Sequence, residues 1–369
     1  MSSVADQEGL VHLGLDVHKN SIAVGVVRGE EESADVERIF HDEESVRRLI
    51  ERFPDRSRLR ACYEAGPTGY GLYRQLTGMG VRCQVVAPSL VPTRSGDRVK
   101  TDRRDARRLA RLLRAGELTA IRVPTDAEEA VRDLCRARAD LVDDRHRARK
   151  RLGAFLLRHG RVYRGGSPWT MNHDQWLSGL VFEQRAAAVT FAHYRAALCE
   201  RDATLAAVEA DLWPFADAAP FADCVHRLGA YRGIARLGGL TIASEVIDWR
   251  RFARAESFMD FTGLVPTEHS SGDATRRGQI TKAGNEHLRT QLVESAWAYQ
   301  HGPAVGAELR KRQQGLPPDT TARAWAAQQR LCRRFRHLAA RKNTKAIVAV
   351  AVARELAGFC WAEMTATTY

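Results

Sequence analysis

The sequence predicts an α/β domain with a mixed sheet over residues 9–123, a long helical linker over 124–219 and a mainly helical domain over 220–369. Three observations carry this reading. Short apolar runs alternate with helical patterns in the first third of the chain, the element order of layered α/β domains. From Pro124 to Trp213 the pattern is helical, broken at Gly165, Gly166, Ser167 and Pro168. Beyond Pro220, helical stretches are separated by Gly-punctuated turns. At 369 residues and 44% hydrophobic content, the chain can form two or three separate cores.

The first domain opens with Leu10 to Val27, LVHLGLDVHKNSIAVGVV, two apolar runs around the polar turn HKNS. This reads as a β-hairpin with Asp16 near the end of its first strand. Arg58 to Glu64 reads as a further strand ending in an acid, stopped by Gly66, Pro67, Thr68 and Gly69. Tyr70 to Thr77 reads as a helix, and Arg82 to Ala87 as a short strand closed by Pro88. Lys100 to Gly116, KTDRRDARRLARLLRAG, is an amphipathic helix with Leu109, Leu112 and Leu113 as its apolar stripe. Its Asp102 and Asp105 stand three apart and so share one face. Arg98, Lys100, Arg103, Arg104, Arg107, Arg108, Arg111 and Arg114 surround them.

Asp16, Glu64, Asp102 and Asp105 thus each occupy a strand end or the start of a helix. Singly, such acids start turns or pair with arginines; four together on this element order can converge. Convergence is what two-metal phosphoryl transfer requires. Two Mg²⁺ about 3.5–4 Å apart clamp the attacking and leaving oxygens, and hard cations draw oxygen ligands from several elements. The surrounding arginines suit a phosphate partner.

Between Arg136 and Arg161 nine Lys or Arg face three Asp, so this helix carries about +6. It is polar on most faces, as a bridge between domains or a nucleic-acid contact would be. Trp169 to Leu177, WTMNHDQWL, is a compact segment anchored by its two tryptophans. His173 is a core or surface histidine, since no acid or cysteine stands at metal spacing from it. Glu183 to Trp213 is one Ala-rich helix with Val189, Leu198, Leu205, Val208 and Leu212 as a seam.

In the second domain, Leu228 to Val246 (LGAYRGIARLGGLTIASEV) reads as helix, Gly-rich turn, helix, and resembles a helix-hairpin-helix element. Such a turn offers backbone N–H groups to a phosphate. Ala235 stands where its second glycine is usual. Val265 to Arg289, VPTEHSSGDATRRGQITKAGNEHLR, reads as a flexible loop. It sets Ser270, Ser271 and Gly272 close to Arg276, Arg277, Lys282 and Arg289. Serines before glycine are ordinary turn residues, but a serine attacking a phosphodiester also needs close approach and cations, and both are here. Thr320 to Glu363 reads as a basic helical tail with nine Lys or Arg and no acid between Asp319 and Glu355. Its apolar Ala346 to Leu356 should pack on the second domain, leaving Arg333, Arg334, Arg336, Arg341 and Lys342 for a phosphate backbone.

The blocks GLDVHKNSIAVGVV, YEAGPTGYGLYRQL and KTDRRDARRLARLLRAG resemble, in order and separation, the N-terminal RuvC-like domain of the IS110-family (IS110/IS116/IS902 type) transposases, the DEDD recombinases. GLVP, HSSG, RRGQITKAGN and HLR resemble the C-terminal Tnp domain of the same family. The resemblance implies an RNase H-like (RuvC-like) fold over 9–123, a coiled-coil linker over 124–219 used in assembly, and a Tnp domain over 220–369. It implies that Asp16, Glu64, Asp102 and Asp105 bind Mg²⁺. It also implies that Ser271, with Ser270 as the adjacent choice, is the nucleophile forming a serine-phosphodiester intermediate. The partners it implies are DNA, a structured guide RNA encoded by the element, and further copies of the chain as a dimer or tetramer.

A net charge of +12 and a pI near 9.7 point to an extended polyanion, first of all nucleic acid. Seven scattered cysteines without a CxxC pair fit a reducing compartment, and the expected location is the cytoplasm, with the nucleoid. No run is long and apolar enough for a membrane span, and the N-terminus lacks the apolar core of a signal peptide. The competing enzyme reading is a metal-dependent nuclease like a Holliday-junction resolvase, hydrolysing DNA without a serine nucleophile. An actin-like phosphotransferase would need a second phosphate loop, which is missing. A purely structural nucleic-acid-binding protein would leave the four acids without purpose.

Overall fold

Asp16 and Asp102 are separated by 86 positions, and the first task of the fold is to bring them together. The computed structural model describes residues 9–29, 35–88, 91–92, 101–271, 274–341 and 344–366, without the side chains of 269–277. The chain forms two compact units, Met1–Val123 and Pro124–Tyr369.

The first unit contains β1 (Val11–Val17), β2 (Ser21–Arg28), β3 (Asp35–Phe40), α1 (Glu43–Glu51), β4 (Leu59–Glu64), α2 (Gly71–Gly78), β5 (Arg82–Val86) and α3 (Asp102–Ala115). The sheet order is β3-β2-β1-β4-β5. β1, β2 and β3 are antiparallel, while β4 and β5 continue parallel to β1, so the sheet is mixed. Side chains alternate across it. Leu13, Leu15, Ile22, Val24, Val26, Ala61 and Tyr63 form a core with Val46, Leu49 and Ile50 of α1 and Leu72 and Leu76 of α2.

The opposite face carries α3 at backbone distance. A Cβ on Gly14 would overlap the carbonyl of Ala106 and the nitrogen of Ala110, and one on Gly25 would sit 2.6 Å from the Ala106 oxygen. The Cys62 thiol donates to the Leu109 carbonyl at 3.5 Å. Thr101 caps the helix at its start by accepting from the Arg104 N–H, and Gly116 at φ 70° ends it. The sequence reading assigns nothing to β3 or α1. β3 is an edge strand with charged Asp35, Glu37 and Arg38, which is how edges resist further pairing and why its alternation is faint.

The second unit contains α4 (Asp126–Arg158), α5 (Met171–Ser178), α6 (Arg185–Ala216), α7 (Ala222–Gly229), α8 (Arg236–Val246), α9 (Ala255–Thr262), β6 (Pro266–Ser271), β7 (Ala274–Ile280), α10 (Glu286–Ala296), α11 (Ala307–Gln313), α12 (Pro318–Ala339) and α13 (Lys345–Thr365). α4 and α6 lie antiparallel, joined by ion pairs Arg138–Glu209 at 2.6 Å and Arg145–Asp202 at 3.7 Å. The buried residues of α6 include Phe191, Leu198, Leu205 and Leu212, a heptad spacing that keeps one seam on its partner. Phe191 takes the place expected of Val189, which is 49% exposed. α4 buries one stripe, which includes Val131, Cys135, Ala148, Leu152, Phe155 and Leu156. His173 is buried among Tyr163, Trp169 and Trp176.

α13 is a central helix of the second core, burying Val348, Ala349, Val352, Ala353, Leu356, Ala357 and Cys360. The basic helical tail consists of α12 and α13, and its apolar stretch packs in the second core as expected. The expected loop at Val265–Arg289 differs: β6 and β7 form an antiparallel hairpin that pairs Ser271 with Ala274. A ladder of backbone hydrogen bonds holds it although most of its residues are polar types. Between α7 and α8, Gly233 has φ 88° and its missing Cβ leaves room for the Ser295 carbonyl, so glycine is required there. All seven cysteines are free. Among the described residues, no helix is long and apolar enough to cross a membrane.

Candidate active site

Asp16 lies one residue before the end of β1 and Glu64 ends β4. These strands are parallel neighbours, with Leu15 opposite Tyr63, so the acids occupy equivalent places about one strand spacing, roughly 4.8 Å, apart. Each stands two residues beyond a position packed on α3, Gly14 for Asp16 and Cys62 for Glu64. Alternation therefore puts both on the α3 side of the sheet. α3 begins with Asp102 at that same rim, with Asp105 in its first turn. The N-terminus of a helix also carries free N–H groups and a positive dipole, which favour an anion.

The side chains meet through a residue that sequence reasoning passed over. His18 Nε2 lies 3.2 Å from Asp16 Oδ2 and 3.4 Å from Asp102 Oδ1. The three donor atoms all fall within 4.8 Å of one another. The turn that carries His18 is fixed at both ends of the peptide: its N–H donates to the Ser21 carbonyl at 2.9 Å, and its own carbonyl accepts from His41 Nδ1 at 2.7 Å. The signal is present as Asp16-Val17-His18, an i, i+2 pair at a strand end, but HKNS by itself reads only as a turn.

Burial pushes the Asp16 carboxyl above its ordinary range; His18 opposes this, and the charges of Asp102 and Asp105 reinforce it. A carboxylate held among other carboxylates is a place where a cation relieves an existing cost. Of the four expected acids, the structure brings Asp16 and Asp102 into one donor group with His18. Asp105 acts on Asp16 through its charge, and Glu64, partly buried on the neighbouring strand, lies outside that group. The donor set of two carboxylate oxygens and one imidazole nitrogen fits a divalent cation.

The expected nucleic-acid contacts divide. Lys100 lies outside the described residues, as do the side chains of Ser270, Ser271, Arg276 and Arg277. Arg104 and Lys282 are exposed, and so is Arg333. Arg103 reaches across to donate to the Val36 carbonyl at 3.3 Å. Arg334 pairs with Glu355 at 3.0 Å, beside Arg330 at 3.1 Å. Arg289 donates to the carbonyls of Thr262 and Lys282, at 3.2 and 3.3 Å, and so ties the two sides of the β6–β7 hairpin base.

A buried acid supports the same base. Glu245, 1% exposed at its side chain, accepts from Arg136 Nε and Nη2 at 2.8 and 2.9 Å and from Asn285 Nδ2 at 2.6 Å. Burial alone would raise its carboxyl; the bonds from Arg136 and Asn285 outweigh that and hold it below the ordinary range. Asn285 also caps α10, directly after the hairpin.

Residues 13–160 match a family model described as a transposase, and residues 225–309 match one described as the transposase IS116/IS110/IS902 family. The chain is similar to the putative transposase y4qE of Sinorhizobium fredii, 43% identical over 370 residues that cover 98% of this chain and 90% of that one. It is similar to the transposase for insertion sequence element IS1533 of Leptospira borgpetersenii, 31% identical over 335 residues, covering 89% and 96%. It is also similar to the probable family 20 transposase of Pseudomonas aeruginosa, 27% identical over 313 residues, covering 82% and 88%.

Proposed function

From the premise that this chain belongs to the IS116/IS110/IS902 family of insertion-sequence transposases, we propose that it cuts and rejoins DNA through a serine-phosphodiester intermediate prepared by a RuvC-like acid site. The observation that carries the reading is the meeting of Asp16 and Asp102, with His18 between them, at one rim of a mixed sheet. Asp16, Glu64, Asp102 and Asp105 would hold Mg²⁺. When bound there, the cation supplies charge to the phosphate oxygens as negative charge grows on them. The first-turn N–H groups of α3 and the exposed Arg104 orient the strand by its backbone, without reading bases.

Ser271 then attacks phosphorus. Its Oγ forms a new P–O bond, the bond to the departing strand oxygen breaks, and the serine proton ends on that oxygen. The ester retains the energy of the broken phosphodiester, so a second strand's hydroxyl can reverse the step without ATP. Ser271 belongs to the second unit and the acids to the first. A structured RNA from the element's own non-coding end selects donor and target, and the active assembly is a dimer or tetramer. The +12 charge supports polyanionic partners.

The test is a trapping experiment. Protein incubated with DNA spanning the element's end should give a denaturation-resistant adduct that Ser271→Ala abolishes. An adduct that persists in Ser271→Ala overturns the serine assignment. Cleavage with no adduct at any time supports hydrolysis by the acids alone. RNA recovered with the purified protein should map to the element's non-coding end; random cellular RNA would remove the guide from the reading.

A further inference from the structure

We propose that His18 is a metal ligand of the acid site and that its nitrogen tilts the site toward Mn²⁺ over Mg²⁺. His18 has this role only if Asp16 and Asp102 are the cation-binding acids proposed above. The spacing is the first ground. Neighbouring ligands on an octahedral ion with bonds of about 2.1 Å stand roughly 3 Å apart, and His18 Nε2 lies 3.2 and 3.4 Å from the two carboxylate oxygens. A hydrogen bond explains only part of this. Nε2 carries at most one proton, so it cannot fully satisfy two separate carboxylates. A cation placed among the three atoms can engage all of them.

The second ground is placement. His18 follows Asp16 by two residues, its backbone is held by Ser21 and His41, and its side chain is 51% exposed, so an ion and its waters can reach the ring. The third is ligand chemistry. Mg²⁺ favours oxygen ligands and retains its waters, whereas an imidazole suits first-row transition metals. An all-carboxylate site would make that distinction less sharply.

The full-length protein loaded with Mn²⁺ gives the test, read by pulsed electron paramagnetic resonance for coupling of the metal to ¹⁴N. Coupling is expected in the unaltered protein and lost in His18→Ala. Calorimetric titration of each ion should show the ratio of Mn²⁺ to Mg²⁺ affinity falling about tenfold in His18→Ala. His18→Asp should recover binding with the ratio still low, because it returns an oxygen ligand in place of the nitrogen. Circular dichroism checks that each variant remains folded. If Asp16→Asn abolishes Mn²⁺ binding while the unaltered protein shows no nitrogen coupling, His18 is not a ligand and the acid site stands. If Asp16→Asn binds Mn²⁺ unchanged, the acid site itself is misassigned.

Discussion

Gly14 on β1 lies against Ala106 on α3 with no space between them for a Cβ. The contact sets how far the first turn of α3, and so Asp102, stands from Asp16. Gly14→Ala should lift the helix, lower stability by about 1–3 kcal/mol and abolish cation binding at the acids. Gly71→Ala, at a position with open space around it, should change neither. Thermal unfolding and calorimetric titration read the two effects.

Glu245 holds Arg136 and Asn285 from within the second core. Glu245→Ala removes the acceptor shared by Arg136 and Asn285 and should cost about 1–3 kcal/mol in urea unfolding. In a double-mutant cycle with Arg136→Ala the two costs should be strongly non-additive. Additive costs would mean that the pair contributes little.

Arg289 separates two roles by a conservative change. As a clamp on the Thr262 and Lys282 carbonyls it needs the geometry of a guanidinium; as a phosphate contact it needs charge alone. Arg289→Lys should therefore reduce recombination severalfold while leaving the salt dependence of DNA binding unchanged. Recombination intact in Arg289→Lys, with the salt slope lowered only when the charge is removed in Arg289→Gln, would place it on the nucleic acid instead.

His12, on the α3 side of β1, gives the first unit a pH dependence. Burial, with Arg60 and Arg114 nearby, lowers its pKa from 6.5 to about 4. The unfolded chain thus binds a proton between those values where the folded chain does not, so stability falls as pH drops from 6.5 towards 4. The loss should reach at most about 3 kcal/mol. His12→Leu should flatten that part of the stability profile, measured by denaturant unfolding at successive pH values.

The parts of the fold that were legible in the sequence are those in which local pattern and burial coincide. The apolar runs of β1 and β2, the acid-ended β4 and the Leu stripe of α3 each announced themselves within a few residues. β3 did not, because a charged edge strand hides its alternation. β6 and β7 did not, because HSS and TRRGQI lack an apolar alternation in sequence and only backbone pairing reveals them. The places of Asp16 and Glu64 at strand ends and of Asp102 and Asp105 in the first turn of a helix were legible; the imidazole between Asp16 and Asp102 was not, since HKNS fits a turn equally well. Glu245 and the fully buried Glu363, which pairs with Arg227 and Arg323, were beyond reach for another reason. Their partners lie far away in sequence, and nothing local marks an acid as buried.

The rim that joins Asp16 to Asp102 also has a place in time. During synthesis β1 and β2 emerge first and can pair as a hairpin, yet the platform made by Gly14 and Gly25 stays bare until α3 follows. At about 5–20 residues per second, several seconds separate the first acid from the helix that completes its surroundings. A chain broken off before Asp102 would carry all five strands with Asp16, His18 and Glu64, but not the helix that sets Asp102 beside His18. The glycines that let the helix lie so close therefore serve a contact that forms only once α3 has been made, the same event that brings Asp102 beside His18.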